Sequence, residues 1–388
     1  MRPALARGLG FTCAATIAAA TATAIASGAA AAQPGPPVVR PGESIQHALD
    51  IAPEGATVVV RPGVYAESLT ITRSVHLIGL PGTLLKPPAA PPDNLCTRDP
   101  DAPDGATPGM CITGAVDDPD AEGPTVIAPV DDVTVSGFTI RGFNFAAIEA
   151  YGARQLTLDH VTATHDAGGG VFVAKSSQVR IIALAIHDTG GRGLDLHDGY
   201  RDVIVRNSSF TGNLGEGVFI GDGTRAELSE NTITGNCVGI AAVDLGLPGH
   251  GGTSHLILRG NRVRHNDRFC AGNDEGAPSQ SGTGIALVGV VDSLVADNVV
   301  TDNAGSPDPT TGAPGALSLG GIALLDAGPF TGGATPHDNL FVDNVATSNT
   351  PFDVLSDGSG TNNRFVRTTC ATSTLPDVCS GHPNGAGR

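Results

Sequence analysis

Short runs of alternating apolar and polar residues recur along most of the chain. VTVSGFTIRGF begins at Val133, LTLDHVTATHD at Leu156, VRIIALAIHDT at Val179, VIVRNSSFTGN at Val203 and AELSENTITGN at Ala226. These starts lie 23, 23, 24 and 23 residues apart. Further copies begin at Leu256, Ser293 and Asn339, with insertions such as 267–282 and 304–319 between them. Each copy also carries a glycine followed by an apolar-x-apolar segment: GVFVA (170–174), GLDLH (193–197), GVFIG (217–221), GIALV (284–288) and GIALL (321–325). Period-two alternation sends every second side chain to the same face. A unit this small cannot bury that face alone, so the copies must stack. Parallel crossover connections favour a right-handed path. The pattern therefore predicts an all-β, single-chain, right-handed parallel β-helix over 44–370, with two strands per copy.

Two columns of asparagine support the stacking. Asn213, Asn236, Asn266, Asn303 and Asn349 hold one place in their copies, and Asn231, Asn261, Asn298 and Asn344 hold another. Inward amides at a turn can bond to the coils above and below, which removes the cost of burying them. Ser44 can cap a short helix that places Ile45, Ala48, Leu49 and Ala52 on one face. That helix would cover the first coil, whose edge is otherwise adhesive. A Pro- and Asp-rich excursion occupies 87–130, residues 33–43 read as a flexible linker, and 371–388 read as a tail.

Composition changes the picture at the termini and at the cysteines. Arg2 and Arg7 precede an Ala-rich apolar stretch, and small residues at 29–32 offer a cleavage site, so 1–32 reads as a signal peptide. No later segment is long and apolar enough for a transmembrane helix. The expectation is a secreted, monomeric protein. Removal of the signal leaves Cys96, Cys111, Cys237, Cys270, Cys370 and Cys379, an even set in an exported chain. Sequence proximity pairs them as Cys96–Cys111, Cys237–Cys270 and Cys370–Cys379. The formal net charge of -17 disfavours nucleic acid. It leaves an acidic polysaccharide open, bridged by calcium or by a local basic patch. No cofactor is expected apart from that calcium. The Asp117, Asp118, Asp120 and Glu122 cluster reads as a solvated loop, and His160, His165, His187 and His265 fall in different columns.

Aligning the copies also lines up outward positions. One column reads Glu149, Phe172, Asp195, Phe219; the next reads Tyr151, Ala174, His197, Gly221; the turn column reads Gly152, Lys175, Asp198, Asp222. Successive coils lie about 4.8 Å apart, so these side chains share one patch. Proton abstraction beside a carboxylate needs a base, an opposing acid and a cation for the developing charge. Asp195 or His197 could serve as base, and Lys175 or Arg192 could neutralise a substrate carboxylate. Glu149, Tyr151, Phe172, Asp198, Phe219 and Asp222 would line the site. The same residues also read as an ordinary solvated strand face with a surface ion-pair ladder of little energetic weight.

The run IQHALDIAPEGATVVVRPGVYAESLTI (45–71) resembles the opening of the pectate-lyase-like β-helix superfamily. The N-x4-N…GI rhythm is similar to the repeats of carbohydrate-binding and sugar-hydrolase β-helices, including NosD-type periplasmic proteins. RGLDLHD (192–198) resembles the YGxDPH[DE] motif of mannuronan C5-epimerases. Asp195, His197 and Asp198 match that motif, while Arg192 replaces its Tyr and Leu196 its Pro. The lost Tyr leaves that family's second proton-transfer group without a counterpart, unless Tyr151 or Tyr200 stands in. These resemblances imply a protein that binds or modifies an extracellular polysaccharide, of lyase or epimerase type on a uronate polymer. A non-catalytic carbohydrate- or envelope-binding β-helix and a NosD-like accessory protein are the alternatives, and enzyme status stays open because this fold hosts many chemistries.

Overall fold

The computed structural model describes residues 36–98, 105–118, 123–249, 251–272, 278–313 and 317–380. Residues 1–32, read from the sequence as a signal peptide, residues 33–35, Asp120, Glu122 and residues 381–388 lie outside the described residues. The coils stack as a parallel β-helix. Each regular coil has three strands rather than the two read from the repeat. Ala153–Asp159, Thr162–Thr164 and Val171–Ala174 make one coil, and Ser177–Ile182, Ala185–His187 and Leu194–His197 make the next. Each strand pairs in parallel with its counterpart one coil on.

The extra strand comes from a bend inside what reads as one run. His160, Ala183, Asn207 and Glu230 sit at that bend with φ of 51°, 53°, 53° and 57°. A left-handed residue turns the chain sharply, and short polar side chains tolerate that conformation better than most. Val75–Lys86 and Val130–Arg141 are twelve-residue strands that run on through the corner, the second with Gly137 there at a φ of 72°. They merge the first two faces into one 20-stranded sheet, while the third face is a separate 10-stranded sheet.

The inward residues form one continuous apolar column. Val133, Leu156, Val179, Val203 and Ala226 lie in register, as do Val135, Leu158, Ile181, Val205 and Leu228, and all are buried. Both asparagine columns are hydrogen-bonded ladders. Asn213 Nδ2 donates to Asn236 Oδ1 at 3.0 Å, and the chain continues through Asn266, Asn303 and Asn349 at 2.9–3.0 Å. Asn231, Asn261, Asn298 and Asn344 repeat this at 3.0 Å. The glycine that opens each third strand sits against the first ladder. A Cβ on Gly217 would lie 2.4 Å from Ile233 Cγ2 and 2.8 Å from Asn236 Nδ2.

The helix Ile45–Ile51 covers the first coil and buries Ile45, Ala48 and Leu49. Ser44 Oγ accepts the His47 N–H at 3.1 Å. The Glu67 carboxylate, from the connection between Gly63–Ala66 and Leu69–Ile71, accepts the Ile45 and Gln46 N–H groups at 2.9 Å each. Three boundaries differ from the sequence reading. Val38–Val39 is no linker, because it pairs with Ala56–Val60 and buries Val39. The excursion contains a rung of the third face, Met110–Thr113, between Leu69–Ile71 and Ile148–Tyr151. The tail adds further bridges, Val354 to Ser373 and Thr368 to Cys379. The disulfides pair as proximity indicated: Cys96–Cys111, Cys237–Cys270 and Cys370–Cys379. Among the described residues, no helix is long and apolar enough to cross a membrane.

Candidate functional site

The third face carries the predicted patch, and its register matches the aligned columns. Glu149 pairs with Phe172, Phe172 with Asp195, and Asp195 with Phe219. Tyr151 pairs with Ala174, and Ala174 with His197. Strand alternation aims Phe172, Asp195, His197 and Phe219 away from the core, on backbone fixed by neighbours on both sides.

Arg192 organises the centre of the patch. It sits one residue before the glycine of its strand, and its guanidinium reaches across two coils. Nη1 donates to Asp195 Oδ2 at 2.7 Å, and Nε donates to Glu216 Oε2 at 3.0 Å. The guanidinium also lies 3.8 Å from the Phe219 ring centroid. Burial works against its charge, but the two carboxylates outweigh burial and raise its pKa above the ordinary value. Gln280, from the insertion after Asn266, donates to Glu216 Oε1 at 3.2 Å. That insertion is fastened by Cys237–Cys270 and by paired backbone bonds between Cys270 and Gln280.

His197 stands between two rings, 6.2 Å from Phe172 and 6.0 Å from Phe219. Its Nδ1 is 4.0 Å from Asp195 Oδ1, too long for a hydrogen bond. Among the described residues, that Asp195 oxygen is buried without a hydrogen-bond partner. The His197 side chain is 29% exposed against 12% for Asp195, so the imidazole is the more accessible of the two.

Several predicted residues are committed elsewhere. Lys175 Nζ donates to the carbonyls of Gly123 and Pro124 at 2.8 and 3.2 Å and lies 3.3 Å from Asp198 Oδ2. Burial disfavours its charge, but Tyr151 and Asp198 together raise its pKa. The Tyr151 hydroxyl donates to the Pro124 carbonyl. Asp222 is fully buried and accepts the Leu245 and Leu247 N–H groups at 2.6 and 3.0 Å. It anchors the loop that follows Val238–Val243, which covers it and keeps it off the patch. Glu149 is also buried, at 4% exposure, beside the Met110–Thr113 rung. Tyr200 points into the core, 1% exposed, and cannot replace the missing tyrosine of the epimerase motif. His165 and His187, in different columns, still approach to 6.4 Å between ring centroids. Among the described residues, no three His, Cys, Asp or Glu side chains converge as a metal site.

A cavity on this face was not anticipated from the sequence. It measures about 400 Å3, begins at Arg192 and Glu216 and continues over later coils. Its floor is Phe219, Ala241 and Ala286, in register along one outward column. Leu245 and Phe330 form one wall, and Leu317 and Leu319 the other. The sequence holds a signal for it. Outward positions of GIALV and GIALL are apolar, with Ala286 and Val288 in the first and Ala323 and Leu325 in the second. A strand apolar on both faces is covered on both faces.

Comparison with known proteins bears on the scaffold. A family model described as right handed beta helix region matches residues 125–248. No curated protein sequence matches the chain. The catalytic unit of an α-1,3-glucanase from Streptomyces thermodiastaticus superposes with a TM-score of 0.56 at 15% identity, over 86% of this chain and 63% of that one. A surface adhesin of Streptococcus pneumoniae superposes with a TM-score of 0.52 at 12% identity, over 87% of this chain and 92% of that one. An Azotobacter vinelandii mannuronan C-5 epimerase module reaches a TM-score of 0.49 at 15% identity, over 87% and 95% of the two chains. At these identities the likeness concerns the fold, which is that of a right-handed parallel β-helix.

Proposed function

We propose that this right-handed β-helix protein binds an uncharged polysaccharide along its third face, over Phe172, Asp195, His197 and Phe219. One observation carries the reading: two outward rings flank an imidazole and a guanidinium-braced carboxylate on adjacent, rigid rungs. The half-buried Phe172 ring offers a face for a sugar ring, while Phe219, 5% exposed and covered by Arg192, backs the imidazole; a fixed carboxylate accepts hydroxyl hydrogen bonds with little loss of freedom on binding. The adhesin and glucanase neighbours support a carbohydrate-related role by analogy of fold. The three disulfides support an oxidising, extracellular setting.

The uronate reading has less support. A uronate carboxylate needs a cation, yet Arg192 is shared by two carboxylates and Lys175 is tied to Asp198 and two carbonyls. Acid–base chemistry is the second reading. It is favoured by Asp195 Oδ1 facing His197 Nδ1 across 4.0 Å, and it requires a side-chain movement that opens this buried oxygen to a substrate hydroxyl.

The test measures binding of neutral glucans and of uronate polymers by calorimetry, with NMR of the products. The expected result is binding of a neutral glycan that weakens at least tenfold in Phe172→Ala and His197→Ala at unchanged melting temperature, an effect of roughly 1.4 kcal/mol or more. Binding confined to uronate polymers, or undiminished in Phe172→Ala, removes the reading. Product formation lost in His197→Ala moves the assignment to acid–base catalysis.

A further inference from the structure

The cavity beside the patch has a different chemistry from the patch itself. Phe219, Val238, Ala241, Ala286, Leu319 and Leu325 line it, each less than a tenth exposed. They form two apolar clusters outside the main core. The polar atoms along the middle are already used by the protein. Thr283 Oγ1 accepts the Leu319 N–H at 3.1 Å, and Thr331 Oγ1 donates to the Asp244 carbonyl at 2.5 Å. Polar groups that remain in play gather at one end, where Arg192, Glu216 and Gln280 meet. The small side chains Ala241 and Ala286 follow Phe219 in one column, so the floor steps down and leaves room along the helix axis. With about 4.8 Å per coil, the trough from Phe219 to the Leu325 coil is roughly 14 Å long.

We infer that this trough binds the alkyl or acyl chain of an amphiphile whose uncharged sugar head rests on the adjoining patch. A hydrocarbon chain is the occupant because the walls are apolar and offer it no unmet hydrogen bonds. That length takes an extended medium-length hydrocarbon chain, with an octyl chain fitting inside it. An anionic head is disfavoured, because two carboxylates face one guanidinium at the polar end. Phe219 joins the two regions, with Arg192 stacked on its ring and its outer atoms lining the trough. The sugar head rests on the glycan reading above; the apolar occupant does not.

The experiment is calorimetry on the intact, oxidised protein below the micelle concentration. The probes are butyl, hexyl and octyl β-D-glucopyranoside, glucose, octan-1-ol and octanoate. Affinity is expected to rise up to about fourfold per added methylene, with octyl glucoside ahead of both octan-1-ol and octanoate. Ala286→Phe should abolish octyl glucoside binding and leave neutral oligosaccharide binding intact, with Ala241→Phe as a second variant and melting curves for both. No dependence on chain length, stronger binding of octanoate, or full binding in both variants that remain folded would overturn the inference. Oligosaccharide binding without octyl glucoside binding leaves the glycan reading standing and removes this one. Octyl glucoside binding blocked by Ala286→Phe, without oligosaccharide binding, supports the trough and removes the glycan reading.

Discussion

Asp166 stands in the column that later coils fill with Asn213, Asn236, Asn266 and Asn303. Its Oδ1 accepts the Phe143 N–H at 2.8 Å, while its Oδ2 is buried without a partner among the described residues. Burial pushes its pKa up to about 7, against the opposing pull of backbone N–H bonds. The folded chain therefore holds this proton more tightly than the unfolded chain does. Stability from this group is present below about pH 4 and is lost as pH rises towards 7. Asp166→Asn removes the charge and keeps the ladder chemistry. Urea denaturation at pH 5 and pH 8 should show the variant gaining on the parent at the higher pH, by an amount on the order of a few kcal/mol. An unchanged difference between the two pH values would sink this account. Arg192 shows the complementary case, a charge kept in a partly buried place by two acceptors and a ring.

At the scale of elements, the ladders and the corner glycines work as one unit. Asn266 Oδ1 accepts both the backbone N–H and the side-chain N–H of Asn236, and Asn266 Nδ2 donates to Asn303 and to the Ile233 carbonyl. Asn266→Ala would strand several buried partners, and each unmet group costs about 1–3 kcal/mol. The expected loss is roughly 2–5 kcal/mol in chemical denaturation, against little change for Thr234→Ala on the solvent side of its strand. Equal effects from the two would show that the ladder adds no more than a surface hydroxyl. The ladder ends at Asp353, whose carboxylate accepts from Asn349, Ala371 and Thr372. A carboxyl group suits the end of the column because the groups that reach it there are donors.

The molecule as a whole is a stack in which each coil contacts its neighbours, so its two ends decide whether it stays soluble. The helix Ile45–Ile51 and the Val38–Val39 strand cover the first coil, and Glu67 ties the helix down. Deletion through Ala52 would expose Val58, Val60, Leu69 and Ile71 together with open strand edges. Size-exclusion chromatography with light scattering should then show oligomers that grow with concentration. A monodisperse monomer from that truncation would mean that the cap is dispensable.

Much of this was already determined by the sequence. The 23-residue repeat, the inward Val, Leu and Ile, the asparagine columns and the disulfide pairing follow from period, burial and proximity, which are local or additive quantities. The alignment also placed Phe172, Asp195 and Phe219 on successive rungs, because register follows directly from a constant repeat. The third strand of each coil was not legible, since one left-handed residue such as His160 or Asn207 leaves the alternation of apolar residues almost unchanged. Nor was the fate of the charges. Glu216 and Gln280 are 64 residues apart, and their bond depends on how an insertion folds back over the face. The burial of Asp222 by Leu245 and Leu247, the clamping of Lys175 by Gly123 and Pro124, and the trough itself have the same origin. Insertions have no repeat to set their register, so only tertiary packing decides where their side chains meet the coils.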